Sequence, residues 1–452
     1  MIFTKANLTS LLPLYDETTP DAGQGYHYYF PNSPEMAHDR TTLRRLDRLA
    51  QSVRDSVALD LSAETATLAQ FIAQDISGDV GLGAMQTAPS GPNPMARCDV
   101  IHGMANTRSG AMDLDTVYAG CLKQGNYGRK LTALLRDPKD KTKLLDTRFM
   151  TLTEQAEGQC EPFAMATASP QAAQTCDDIR DLFFHMDANG TLHRPGGHCP
   201  LGLGGEPQEA QSVAAMHRTL LQFHNAIAGT YGEHALGARG SDALFDRARD
   251  HVRWQYQWLV VNVFLRQICH AETLDQVIAD EAPLYRQMAS AVPVDPKGHL
   301  PIPLEFSAAA FRVLEAGAAT DAMRTSHHLN LPSAQSCLAE IAQTTGLPLQ
   351  SLSVAQLTSG RTGAALDHAG FVQDTPLWFY IHKEAEILGK GETLGPLGSA
   401  LVANTLLGLL VVDDWSYWHQ GTAARKEWSP AEGLLPDGRK ITSLTDLREA
   451  LT

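Results

Sequence analysis

The sequence predicts a mainly α protein with long loops, on three observations: helical periodicity recurs along most of the chain, strand signals are few and short, and turn-forming residues gather into a few long stretches. At 452 residues, 43% hydrophobic and 19% charged, it can bury a large core. No internal repeat or low-complexity linker divides it, so one large helical domain is the simpler reading.

The elements follow in chain order. Apolar spacing predicts helices over 41–58 and 61–77, the second reading TLAQFIAQDI before a Gly turn. Residues 210–229 place Met216, Leu220, Phe223 and Ile227 on one stripe and stop at Gly229. Residues 241–268 stay apolar around most of the circumference in their second half, which predicts a buried helix. Further helices fit 304–318, 333–345, 353–359, 374–389, 396–411 and 442–450. Turn-rich stretches lie at 78–111, 120–148, 156–210 and 284–302, the most loop-like being HRPGGHCPLGLGG at 193–205.

The net charge of -15 and the spread of Lys and Arg along the chain leave no basic footprint, which argues against nucleic acid or an anionic membrane as partner. The start, MIFTKANLTSLLPLYDETTPD, lacks the basic and apolar regions of a secretory signal, and the longest apolar run, Leu406 to Val412, is too short to span a bilayer. The expectation is a cytoplasmic protein. Seven cysteines without a C-x-x-C pair read as free thiols, with room for one bridge inside 160–199.

Three stretches could carry chemistry. In TRSGAMDLDTVYAG (107–120), Ser109, the Ala111 carbonyl, Asp113 and Asp115 alternate so that their oxygens can converge on a hard cation such as calcium; a solvated loop is the plainer alternative. His193, His198 and Cys199 could hold zinc with Cys176 or His185, although the spacing fits no standard finger. His327 and His328 are adjacent and point apart in regular structure, which disfavours a shared metal. In LEFSAAAFRVLEAGA (304–318), Arg312 and Glu315 stand three apart on one helical face, the spacing of an ion pair. Small apolar neighbours imply a packed helix, where burial would raise the Glu315 pKa.

In order, several segments resemble the bacterial branch of the animal-type haem peroxidase (peroxidase and cyclooxygenase) superfamily. TLAQFIAQDI is similar to that family's distal helix, G-Q-F-x-D-H-D-x, and TRSGAMDLDTVYAG to its calcium loop. MHRTLLQFHNAIA, PLEFSAAAFRVLEAGAA and the long segment DTPLWFYIHKEAEILGKGETLGPLGSALVANTLLGLL resemble later helices in the family order, covering about residues 60 to 420. The resemblance implies a single large helical domain of that type over 61–425, an N-terminal extension over 1–60 packing on it, and a tail with a short helix over 426–452.

It also implies a haem between a distal and a proximal histidine, and here the match fails. Gln74 stands at the distal position, and an amide cannot act as the general base. Glu315 stands at the proximal position. The turn expected to carry the distal Arg reads GEPQEAQ, with Gln208 in its place, and the positions of the haem-ester carboxylates hold Ala73 and Gln211. The calcium ligands implied by the family are present as Asp75, Ser109, the Ala111 carbonyl, Asp113 and Asp115. The expectation is a calcium-stabilised protein without haem, most simply a haem-independent enzyme that takes a small, largely apolar molecule into the vacated cavity. Glu315 would act there as acid or base, beside Arg312 and opposite Gln74. A pseudoenzyme binding a ligand or protein partner is the first alternative. A haem peroxidase or oxygenase with an unrecognised ligand among His217, His224 and His327 is the second.

Overall fold

The computed structural model describes residues 25–53, 59–80, 93–106, 108–118, 136–137, 140–144, 185–186, 192–193, 207–231, 240–293, 298–422, 426–431 and 438–451. It is mainly helical. The principal helices are α1 (Thr42–Val53), α2 (Ala63–Ile76), α3 (Pro207–Thr230), α4 (Gly240–Leu259), α5 (Ala319–His328), α6 (Leu377–Ile387) and α7 (Pro396–Val412). Strands among the described residues are two residues long: Tyr26–His27 runs parallel to Ile302–Pro303, Asp79–Val80 antiparallel to Ala105–Asn106, and His185–Met186 antiparallel to Leu192–His193.

The helices form where pattern and caps agree. Ser62 caps α2 by accepting the Thr65 amide at 3.1 Å. On α3 the predicted stripe of Met216, Leu220, Phe223 and Ile227 is buried. α4 continues through a π-turn at Val260–Phe264 into Leu265–Ile268; Val260, Val261, Phe264, Leu265 and Ile268 are buried, but Asn262, Arg266 and Gln267 are exposed, so the stretch keeps one open face where its composition implied burial all round. α7 buries every residue from Pro396 to Leu410 and forms the axis of the core. Its polar members are satisfied locally: Asn404 donates to the Ala400 carbonyl at 2.8 Å and accepts the Leu284 amide at 3.0 Å, and Thr405 donates to the Leu401 carbonyl at 2.8 Å. Among the described residues no helix is long and apolar enough to cross a membrane.

Two sequence expectations need correction. The helix expected over 304–318 is a π-turn at Phe306–Ala310 followed by a 3-10 turn at Phe311–Leu314, and it stops at Glu315, whose backbone is extended. Gly317, at φ +78°, turns the chain into α5. The stretch 284–302, read as loop, opens with a helix at Pro283–Ala291. Pro283 occupies its first turn, where a missing N–H costs nothing, and so marks the helix start.

Residues 25–33 thread the core. Tyr28, Tyr29 and Phe30 are buried, and the Tyr29 and Phe30 amides donate to Glu305 at 2.9 and 3.1 Å. Arg97 gathers the carbonyls of Pro31, Ser33 and Asn330 at 3.1, 2.6 and 2.9 Å. Of the seven cysteines, Cys98, Cys269 and Cys337 are free thiols; the other four lie outside the described residues.

Candidate functional site

Two ties bring α2 and the loop 108–115 together. Asn106, fully buried, donates to the Ile76 carbonyl at 2.9 Å and accepts the Gly78 amide at 2.8 Å, which seats the end of α2 against the strand leading into the loop. The Leu114 amide then donates to Asp75 Oδ2 at 3.4 Å. Within the loop, Ser109 Oγ donates to Asp113 Oδ2 at 3.1 Å and accepts the Ala111 amide at 3.2 Å. Asp75, Ser109, Ala111 and Asp113 are all buried at 6% exposure or less, and among the described residues no group of three or more His, Cys, Asp or Glu side chains gathers as a metal site. The backbone of Asp115 begins the short helix Asp115–Tyr118, and its side chain lies outside what is described.

Backbone strain shapes this loop. Leu114 sits at φ +59° and Gly110 at φ +75°. A Cβ on Gly110 would collide with the Leu300 carbonyl, while the Leu300 amide donates to the Ser109 carbonyl at 2.8 Å. Left-handed backbone on a leucine costs about 1 kcal/mol or more, and such strain persists where its surroundings dictate it.

α4 supplies support that the sequence did not signal. Gln257, fully buried, donates to the Met112 carbonyl at 2.7 Å and accepts the Tyr417 amide at 2.8 Å. Tyr256, beside it, packs edge-on against Phe71 of α2. Burial pushes the Tyr256 phenol well above its ordinary pKa, with the nearby Asp75 and then Asp113 carboxylates adding to the rise. Both residues looked like ordinary members of an apolar helix.

Gln74 lies on the same turn of α2 as Asp75 and is half-buried, and its amide oxygen is buried with no hydrogen-bond partner among the described residues. An orphaned buried acceptor costs about 1–3 kcal/mol. Arg312 and Glu315 do meet, with Arg312 Nε 3.4 Å from Glu315 Oε2, while Arg312 Nη1 lies 2.7 Å from Asp321 Oδ2. Arg312 is 2% exposed, so two carboxylates neutralise a buried guanidinium. The segment Phe306–Leu314 packs on α5, α6 and α7, whereas α2 packs on α3 and Asp115–Tyr118. α4 and its π-turn bridge the two, through Phe71 and Tyr256 at one end and Phe264 and Phe311, 6.3 Å apart, at the other.

The histidines are mostly framework. His224 accepts or donates at both ring nitrogens, to Tyr118 Oη at 3.0 Å and the Thr142 carbonyl at 3.0 Å, and burial holds its pKa down at about 3. A neutral ring engaged on both sides has no lone pair left for a metal. His217 is buried on α3, and His327 stands edge-on to His38 with ring centroids 6.3 Å apart. Cys176, His198 and Cys199 lie outside the described residues, as do the side chains of His185, His193, Gln208 and Gln211. Ala73 is buried on α2.

At the two positions where the resemblance would place haem histidines, Gln74 offers a neutral amide and the Glu315 carboxylate is turned to Arg312, a donor set that does not fit haem ligation.

No protein-family model matches the sequence, and no curated protein matches it. Among solved structures the chain is similar to Peroxidase A from Dictyostelium discoideum, at 12% identity and a TM-score of 0.44, with 88% of each chain covered.

Proposed function

We propose that the chain is a divergent peroxidase-type helical scaffold that works without haem, is clipped by a structural calcium ion, and binds a small, largely apolar molecule carrying an N–H or O–H group. The observation that carries the ligand reading is the buried oxygen of Gln74, which has no partner among the described residues. A hydrogen-bond donor arriving there would remove the cost of leaving that acceptor dry. Asp75, Ser109, the Ala111 carbonyl and Asp113, with Asp115 on the adjoining turn, would hold the cation, since they offer the hard oxygens calcium takes from a flexible loop. The cation would fix the end of α2 and with it the position of Gln74.

The test is an absorption spectrum of the protein purified from haem-supplemented cells, with iron and calcium measured on the same sample and released small molecules analysed by mass spectrometry. The expected result is no Soret band, about one calcium per chain, and a small molecule present in the native protein but absent from Gln74→Leu. A Soret band with stoichiometric iron would overturn the haem-free reading, and equal small-molecule content in both proteins would remove Gln74 from it.

A catalytic version of the same reading makes Glu315 an acid or base. It is favoured by the long 3.4 Å contact to Arg312, a cation that Glu315 shares with Asp321, and by its 14% side-chain exposure, which keeps it reachable. Glu315→Gln would then abolish turnover while leaving ligand content unchanged.

A further inference from the structure

Folding gathers on α1 a charge pattern that the chain as a whole hides. Arg44 and Arg48 stand one turn apart on its outer face, and Arg40 sits in the turn leading into the helix; all three are exposed. The opposite face buries Leu46, Leu49, Ala50 and Val53. Four residues advance an α-helix by about 6 Å, so the arginines recur at about that spacing along one side.

Arg40, Arg44 and Arg48 make no ion pair or hydrogen bond among the described residues, while the charges around them are engaged. Arg45 lies over the Phe371 ring at 4.7 Å, donates to the Ala369 carbonyl at 3.0 Å and approaches Asp39 at 3.5 Å. Arg324 grips both oxygens of Asp47 at 2.6 and 2.8 Å. Arg361 donates to the Ser52 carbonyl at 3.0 Å and extends the basic surface past the far end of α1.

Helix physics disfavours this arrangement. Like charges four apart repel, and cations in the first turn oppose the helix dipole, although Asp39, just before the helix, accepts the Thr41 amide at 2.7 Å. Among the described residues these three arginines contribute no contact to the fold, which points to a role outside it.

We propose that the outer face of α1 is a docking surface for an acidic segment of a partner protein, whose carboxylates, spaced one helical turn apart, pair with Arg40, Arg44 and Arg48. A guanidinium suits this because it takes a carboxylate through two parallel N–H donors. Charge complementarity selects the size of the partner. The chain carries a net charge of -15. At physiological salt, fields are screened beyond about 8 Å, so a short acidic segment meets the stripe and little else. A nucleic acid or an anionic membrane presents its charge to a larger part of a chain whose net charge is -15, and is disfavoured by it.

The test uses the full chain and a fluorescein-labelled helical peptide with Glu at three successive turns, followed by anisotropy at low salt. Saturable binding is expected, weakened about tenfold on raising NaCl to physiological strength. A loss of at least about tenfold is expected in the Arg44→Ala/Arg48→Ala variant, whose melting temperature stays the same or rises because repulsion is removed. The same titrations with a short single-stranded oligonucleotide and with phosphatidylserine vesicles identify other partners. No binding of the Glu peptide, equal binding by the variant, or tighter binding of the oligonucleotide or vesicles would each overturn the proposal.

Discussion

Leu114 donates its amide to the Asp75 carboxylate at 3.4 Å, joining the strained loop that carries Ser109 and Asp113 to the helix that carries Gln74. The two residues are 39 positions apart in sequence. The contact makes the cation loop and the candidate ligand position a single mechanical unit.

Replacing Asp113 with Ala tests the cation. The native protein should melt higher with calcium than with a chelator, because an ion that binds only the folded chain stabilises it by mass action. Asp113→Ala should melt lower and lose that calcium dependence. A melt that ignores both calcium and the substitution would sink the assignment.

Gln74 gives a prediction of opposite sign. Its amide oxygen is buried without a partner, so Gln74→Leu should stabilise the ligand-free protein by about 1 kcal/mol, read as a higher urea midpoint at unchanged slope. Destabilisation would mean that the amide serves the fold. Gln74→His alone should give no turnover of a peroxidase dye, because Glu315 remains engaged by Arg312.

Gly110 should tolerate no side chain. With φ at +75° and the Leu300 carbonyl in the path of a Cβ, Gly110→Ala strains the backbone and pushes the loop off residues 298–300. A loss of about 2 kcal/mol is expected, together with weaker calcium dependence of the melt. Native stability in this variant would mean that the loop sits further from Leu300 than described.

Stability should fall as pH rises toward neutrality. Burial lifts the Glu384 carboxyl from 4.5 to about 8, against the pull of the Leu397 and Gly398 amides that it accepts, and lifts Glu305 to about 7. Each group binds its proton more tightly folded than unfolded. The stability it contributes is therefore full below about pH 4.5 and is lost as pH rises through the folded value. Between pH 7 and 8 Glu384 dominates, with a slope of at most about 1.4 kcal/mol per pH unit. Glu384→Gln keeps an acceptor for the helix start but does not titrate, so its urea midpoints should vary less across this window; an identical slope would show that Glu384 is ionised throughout.

The legible part of this protein was whatever repeats within a few residues. The stripe of Met216, Leu220, Phe223 and Ile227 announced its helix and its buried face, because periodicity is local physics. Breaks were less legible. Residues 284–291 were read as loop although they belong to a helix that Pro283 opens, and the helix carrying Arg312 stops at Glu315 where spacing alone would extend it to 318.

At the candidate site, sequence named oxygens and charges without their partners. The spacing of Arg312 and Glu315 predicted their pairing, but Asp321 joins them only because the chain turns at Gly317 into α5. Tyr256 and Gln257 reach the cation loop from a helix more than 140 positions away, a contact that no local pattern encodes. The sequence by itself determined the helical class, most helix positions and the alternating oxygens of 109–115. Only the tertiary structure decided that Asp75 meets that loop and that the Gln74 oxygen is buried with no partner among the described residues. The reason is physical: periodicity acts over one helical turn, whereas burial and charge pairing depend on which distant segments share the same space.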